Sequence, residues 1–264
     1  MGERRSRSCQ GRGGVRRDAR RVTPVGHCVL ALLGLGASLV HAQAGGASSG
    51  ALSGSLALTS DYFVRGISRS NDRPALQLDL HYLNDGFIAG LFASNTQIDP
   101  GEPRDVELSP YLGYAWSTPS WQGRAQYSNY SYPWNAAGSG YNYDELEVAG
   151  TYRDWLDLRL TYSPDWPRYF PGRGLRGVDA ESLTVTLQHA LARRWSGHAG
   201  AGYVEIQGGD PRGYTFWGAG LSVDFEPAPV SVTLSVVGTS AEARTLFYNS
   251  AGGGHAAATV LWRF

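Results

Sequence analysis

Apolar and polar residues alternate along the chain from Gly54 to Phe264. In Ser182–Gln188, for example, Leu183, Val185 and Leu187 lie opposite hydroxyl and amide side chains. About twelve such segments, each of roughly nine to thirteen residues, follow one another between turn-forming residues. A period of two is typical of strands with one apolar and one polar face. The sequence therefore predicts an all-β fold.

The connections between these segments alternate strictly between short and long. A transmembrane antiparallel β-barrel has short turns at one end and longer loops at the other, and its strands need about 9–11 residues. We therefore predict a single transmembrane barrel of about 12 strands over residues 54–264, with short periplasmic turns and longer extracellular loops. The short connections are residues 84–86, 117–120, 153–154, 192–194 and 226–229, and the long ones are 65–73, 96–104, 131–141, 163–179, 207–213 and 239–254.

The last segment, "HAAATVLWRF", places every second residue back from Phe264 on one apolar face. We expect this strand to face lipid and to pair with the first strand, because only a closed barrel satisfies its backbone in a bilayer. Trp262 and Phe264 also resemble the signal that the barrel-assembly machinery reads in outer-membrane proteins. The alternative is a soluble β-sandwich that happens to end on an aromatic residue.

The first 42 residues have the layout of an export signal. Eight arginines precede the apolar run Val29–Val40, and small residues follow that run, so cleavage is expected near Ala42 or Ala44. The apolar run is too short to cross a bilayer as a helix. We predict a cleaved signal over residues 1–42, a flexible lead-in over 43–53, and a location in the bacterial outer membrane.

The stretch "SDYFVRGISRSNDRPALQ" from Ser60 to Gln77 resembles the first strand and loop of the TorF-family porins, which are Gcw_chp-like bacterial outer-membrane proteins. "GLFASN", "ELSPYLGY" and "YNYDELEVAG" fit the same family. The resemblance implies a barrel and passive transport, and it brings no catalytic residue with it. The residues that carry the signature are Ser60, Asp61, Tyr62, Arg65, Gly66, Ser68 and Pro74.

The polar faces of the predicted strands are expected to line a lumen. Charges of both signs occur there, and an acidic excess favours cations. Because twelve strands make a narrower barrel than an open porin of 16–18 strands, a narrow polar lumen and a plugged one both remain open. The candidates are Asp79, His81, Glu107, Arg124, Glu145, Glu147, Asp157, Arg159, Asp224 and Arg263, with Gln126, Gln188 and His198 on the same faces.

Two outer connections invite further interpretation. Residues 163–179 carry Arg168, Arg173 and Arg176, so this stretch folds inward as a constriction, binds lipopolysaccharide phosphates, or is simply a surface loop. Gly66, beside Arg65, indicates a fixed turn at 65–68.

The sequence favours no enzyme. No histidine is followed at the right spacing by the serine of an outer-membrane phospholipase, and no metal-binding or phosphate-binding motif occurs. We expect no cofactor, no metal and no nucleic-acid partner. The predicted function is passive passage of small solutes or ions, with outer-membrane lipid and lipopolysaccharide as surroundings. A structural or surface-binding barrel with an occluded lumen is the alternative. An outer-membrane hydrolase is a third hypothesis, for which the sequence offers no catalytic motif.

Overall fold

The computed structural model describes residues 50–98, 101–135, 138–247 and 253–264. The predicted export signal lies outside the described residues. The strands are β1 Ala51–Thr59, β2 Phe63–Val64, β3 Ile67–Ser68, β4 Ala75–Asn84, β5 Phe87–Thr96, β6 Asp105–Ser117, β7 Trp121–Tyr130, β8 Tyr143–Tyr152, β9 Leu156–Phe170, β10 Gly174–Ala192, β11 Trp195–Ile206, β12 Gly213–Asp224, β13 Val230–Thr239 and β14 His255–Arg263. A 3₁₀ turn spans Gly138–Tyr141, and helix α1 spans Glu242–Leu246.

Twelve of these strands form one closed antiparallel barrel, while β2 and β3 form a separate small hairpin. The predicted all-β barrel is thereby confirmed. Strand β1 begins at Ala51, three residues before the predicted start of the barrel at Gly54 (54 − 51). Among the described residues, no helix has the length and apolar character needed to cross a membrane.

The barrel closes between its first and last strands. Gly54 N donates to Phe264 O at 2.9 Å, and Phe264 N donates back to Gly54 O at 3.0 Å. Register continues through Leu56 opposite Trp262 to Thr59 opposite Thr259. Pairing of β14 with both β13 and β1 removes the free edge that an open sheet would present. The aromatic rings of Trp262 and Phe264 lie 5.1 Å apart on the outer face; their role in assembly stays a prediction.

The outward face of the barrel is apolar and carries two rings of exposed aromatic side chains. We call the end with the short connections the turn end, and the opposite end the loop end. Trp195 and Tyr203 belong to different rings on one strand and lie eight residues apart (203 − 195), or about 20 Å at a tilt of about 40°. The turn-end ring contains Tyr82, Phe87, Tyr114, Trp116, Trp121, Trp155, Trp195, Phe225, Trp262 and Phe264, and the loop-end ring contains Tyr127, Tyr162, Tyr203 and Trp217.

The interpretation of residues 163–179 as a long loop is wrong. Strands β9 and β10 continue through this stretch, and only residues 171–173 connect them. A bulge between Ser163 and Trp166 accommodates the extra residue, and Pro167 lies opposite Gly177 in the ladder. The guanidinium of Arg168 donates to the carbonyls of Ile206, Gln207 and Pro211 at 3.0–3.1 Å, so it holds the neighbouring connection. The stretch extends the wall and does not fold inward as a constriction.

Candidate functional site

The inward face of the barrel is polar, and the structure places the charged side chains singled out from the sequence on this face. Asp224 and Arg263 lie at the turn end and are partly exposed. The others are buried in the interior: Asp79, His81, Glu107, Arg124, Glu145, Glu147, Asp157 and Arg159, together with Gln126 and His198.

Strands β4 to β9 form a charged half of the inner wall. Glu147 accepts a hydrogen bond from Arg124 and lies 3.5 Å from the Nε atom of Arg159, so two buried arginines share one carboxylate. Side chains alternate between the two faces of a strand, so Arg124, Glu147 and Arg159 all point inward. In the register of β7 and β8, Arg124 lies opposite Ala149, which is two residues from Glu147, so the two charged side chains are near neighbours. This half therefore holds a connected network of opposite charges.

A second chain of polar contacts lies on β4 and β6, in the same half. Asp79 Oδ1 lies 2.7 Å from His81 Nδ1, and Tyr111 donates to Asp79 Oδ2 at 2.9 Å. The predicted absence of enzymatic activity is not tested by this arrangement and stays a prediction.

The other half of the inner wall, formed by β10 to β14 and β1, carries mainly hydroxyl groups, alanine and glycine. Hydroxyls pair across neighbouring strands: Ser222 with Thr233 at 2.8 Å, and Thr259 with Thr59 at 2.9 Å. At Gly220, an added Cβ would lie 2.5 Å from Cε1 of His198. We call this surface the hydroxyl half. Its small side chains leave room in the barrel that a larger insert can fill.

Residues 60–74, which connect β1 to β4 at the loop end, fold back into the barrel, and we call them the plug. Strands β2 and β3 of the plug form a hairpin whose two turn residues, Arg65 and Gly66, have φ values of 51° and 76°. Positive φ at both central positions is the geometry of a type I′ turn, which suits a tight hairpin. The sequence-based expectation of a fixed turn at 65–68 therefore corresponds to the tip of this hairpin.

The base of the plug is held by hydrogen bonds to one buried carboxylate. Asp61 Oδ1 accepts from Ser68 Oγ at 2.6 Å and from Ser70 Oγ at 2.8 Å. Tyr62 N donates to Ser70 Oγ at 2.9 Å, and Arg69 N donates to Tyr62 O at 2.6 Å. Burial raises the pKa of the Asp61 carboxyl above its ordinary value, although the hydrogen bonds from the two serines act in the opposite direction.

The plug binds the charged half of the wall through charges and a phenol. Arg65 Nη2 lies 2.6 Å from Glu145 Oε2, and Tyr62 donates to Glu107 Oε1 at 3.0 Å. The guanidiniums of Arg65 and Arg69 lie 5.6 and 5.5 Å from the ring centre of Trp166. Contacts of this kind to buried, desolvated groups are stronger than the same contacts in water.

The plug meets the hydroxyl half through close packing. A Cβ added to Gly66 would lie 2.5 Å from Thr239 Cγ2 and 3.2 Å from Phe216 Cβ. Phe63 packs with Val237 and Ala257. The plug thus contacts both halves of the wall, through ion pairs and hydrogen bonds on the charged half and through close packing on the hydroxyl half.

The interior has little space for solvent in this conformation. Glu107 and Thr233, on opposite halves of the wall, are each 1% exposed, and Thr259 is 2% exposed. Side chains lining an open aqueous channel would be solvated, so the plug and the wall side chains together fill the barrel.

Sequence reasoning placed the signature residues together but did not connect them to the wall. Asp61, Tyr62, Arg65 and Ser68 form contacts of the plug, and Gly66 packs against β13. Ser60 N and Oγ bond to β14 at Ala258 O and Ala258 N. The carbonyl of Pro74 accepts from Asn95. Sequence reasoning missed the stacking of Arg69 on Trp166 and the hydrogen bond that Tyr132 donates to Glu107 Oε2 at 2.7 Å. The signal that could have found them is the set of aromatic residues Tyr130, Tyr132, Tyr143 and Trp166.

The family described as "Bacterial protein of unknown function (Gcw_chp)" matches residues 43–263, so the chain belongs to this family. No curated protein matches the sequence. Among solved structures, the NanC porin resembles the chain with a TM-score of 0.50 at 10% identity, over 80% of this chain and 98% of that one. At this identity the likeness supports the barrel fold alone.

Two further solved structures show weaker similarity. An outer membrane channel of the COG4313 group from Pseudomonas putida F1 has a TM-score of 0.49 at 12% identity, over 82% of this chain and 96% of that one. The KdgM porin has a TM-score of 0.47 at 10% identity, over 82% of this chain and 99% of that one.

Proposed function

We propose that this protein is an outer-membrane porin through which small polar solutes or ions pass, and that the plug closes its lumen in the conformation described here. The observation that carries the proposal is a closed twelve-strand barrel with an apolar outer face, a band of aromatic residues near each end and a charged inner wall. A soluble barrel would have no reason to expose the apolar face, whereas a bilayer would cover it.

The outer face supports the location in a membrane. The separation of about 20 Å between the aromatic rings is close to the apolar band of about 25 Å in outer-membrane barrels. The turn end then faces the periplasm and the loop end the outside, in line with the export signal expected over residues 1–42. This placement implies lipid and lipopolysaccharide as the surroundings of the barrel. The exposed side chains of Arg173 and Arg176 lie at the loop end, which faces the lipopolysaccharide.

The inner wall supports a transport role. Ionised groups in an apolar protein interior are costly unless they are paired or face water, and a polar path is the usual use of inward charges in a barrel. The resemblance to TorF-family porins carries the same expectation of passive transport. Displacement of the plug would expose Glu107 and Glu145, which its residues now cover.

Conductance of the refolded chain in planar bilayers tests this proposal. We expect small or rare openings for the natural chain, and larger, frequent ones when residues 62–70 are replaced by a Gly/Ser segment of equal length. The same replacement at residues 171–173, which connect β9 and β10 outside the lumen, is the control and should leave conductance unchanged. Absence of conductance in both the natural and the plug-replaced chain would contradict the proposal.

A second function is favoured by the near-complete burial of the inner wall. A barrel that is filled in all its states would serve as a structural or surface-binding protein, with its long connections as the binding surface. Single-channel recordings separate the two functions, because a permanently filled barrel stays silent even when the plug is replaced.

A further inference from the structure

Three side chains with metal-binding chemistry meet at the loop end, where the plug joins the barrel. Asp61 lies at the start of the plug, Asp72 near its end, and His255 at the start of β14. One carboxylate oxygen of each aspartate and one imidazole nitrogen of His255 all lie within 4.8 Å of one another. Asp61 is buried, whereas the side chains of Asp72 and His255 are 64% and 39% exposed, so an ion can reach the group from solvent.

The spacing of the ligand atoms of His255 and Asp72 suits coordination of one ion. His255 Nδ1 lies 3.3 Å from Asp72 Oδ1, which is long for a hydrogen bond. Two ligands held at about 2.1 Å from a tetrahedral zinc ion are separated by about 3.4 Å. One imidazole and two carboxylates form a set that zinc accepts, with the fourth position left to water.

The electrostatics of the group also favour a cation. Asp61 and Asp72 place carboxylate oxygens within 4.8 Å of each other, so their negative charges repel when both groups are ionised. A divalent ion between the two carboxylates would replace their repulsion with attraction.

The surrounding side chains orient the three ligands. Ser68 and Ser70 both donate to Asp61 Oδ1, and Asp72 N donates to Ser68 Oγ at 3.2 Å. The ring of Phe63 meets the ring of His255 edge to face at 5.9 Å between centres. Outer partners of this kind fix ligand orientation in metal sites.

We propose that Asp61, Asp72 and His255 bind a divalent transition-metal ion, with zinc as the best fit, and that the ion ties both ends of the plug to β14. Sequence spacing could not reveal this site, because Asp61 and His255 are 194 residues apart (255 − 61) and meet only when β1 pairs with β14. The expectation of no metal is thereby replaced by a specific hypothesis. Metal binding stands apart from the porin function, whereas any effect of the ion on conduction rests on that function.

Titration calorimetry of the refolded full chain with zinc chloride alone tests the site. We expect one ion per chain, at least tenfold weaker binding in Asp72→Asn and in His255→Gln, and much weaker binding of calcium, because calcium prefers oxygen ligands. Asp154→Asn and His189→Gln make the same chemical changes at the turn end and should bind zinc as the natural chain does. Absence of one-to-one binding, or equal loss in the control variants, would overturn the site.

Amide hydrogen exchange provides a second measurement that does not depend on conduction. Zinc should slow exchange across residues 61–72 in the natural chain and leave it unchanged in His255→Gln. Slower exchange together with no conductance in either the natural or the plug-replaced chain would keep the metal site and refute the porin function. Zinc binding with no change in exchange at the plug would refute the tie between the ion and the plug. Asp61→Asn is not a suitable test variant, because the Asp61 carboxylate also accepts the hydrogen bonds that hold the base of the plug together.

Discussion

The two halves of the inner wall hold the same plug by different physical means. The charged half, β4 to β9, meets it with buried carboxylates and aromatic rings. The hydroxyl half, β10 to β14 and β1, meets it by close packing of Phe216, Val237 and Thr239 against the plug. Ion pairs in a dry interior are strong only while both partners are present, whereas packing tolerates only changes that leave the shape intact. Side-chain substitutions should therefore act on charge balance in one half and on steric fit in the other.

The largest effect is expected from Glu147→Gln in the charged half. The change leaves Arg124 and Arg159 buried without their shared carboxylate, which costs about 3–5 kcal/mol of stability by analogy with broken buried ion pairs. Denaturant unfolding in micelles measures the loss. In a chain whose residues 62–70 are replaced by a Gly/Ser segment, Glu147→Gln should also shift the reversal potential toward anions. An unchanged reversal potential would show that Glu147 does not face the conducting path.

Gly66→Val tests the fit on the hydroxyl half. A Cβ at this position would lie 2.5 Å from Thr239 Cγ2, and φ there is +76°. We expect a loss of about 2–4 kcal/mol and faster hydrogen exchange in the plug, because overpacking adds to backbone strain. Gly172→Val is the matched control, since Gly172 has a φ of +74° but no atom near its added Cβ. Equal losses in the two variants would mean that backbone strain alone, and not packing, explains the effect.

Arg65 and Glu145 can be tested as a pair. Single changes Arg65→Ala and Glu145→Gln should each loosen the plug, and the double variant should be less harmful than the sum because it leaves no unpaired charge. A double-mutant cycle on unfolding free energy should give a coupling of about 1–3 kcal/mol. Additive effects would show that the ion pair does not hold the plug.

Thr233→Val in the hydroxyl half should have the smallest effect. It removes a hydroxyl bonded to Ser222 at 2.8 Å and keeps the volume nearly constant. We expect a loss of about 1 kcal/mol and no change in ion selectivity. A shift in reversal potential similar to that of Glu147→Gln would remove the distinction between the two halves.

Much of the barrel could be predicted from local pattern. Alternation in Ser182–Gln188 correctly indicated which side chains of β10 face inward, and the short turn at Asn84–Gly86 correctly indicated a hairpin. Residues 163–179 were misjudged because their prolines and glycines are typical of loops, whereas a bulge and pairing with the neighbouring strand keep them in the sheet. Propensity is local, and ladder pairing outweighs it.

The sequence by itself determined the all-β fold and the two faces of each strand, because the side-chain period of a strand depends only on the backbone. The tertiary structure decided which charges pair, how residues 60–74 enter the barrel and why Asp61 lies beside His255. Those contacts depend on strand register and on closure of β1 against β14, which join residues far apart in the chain. No local period in a sequence contains that information.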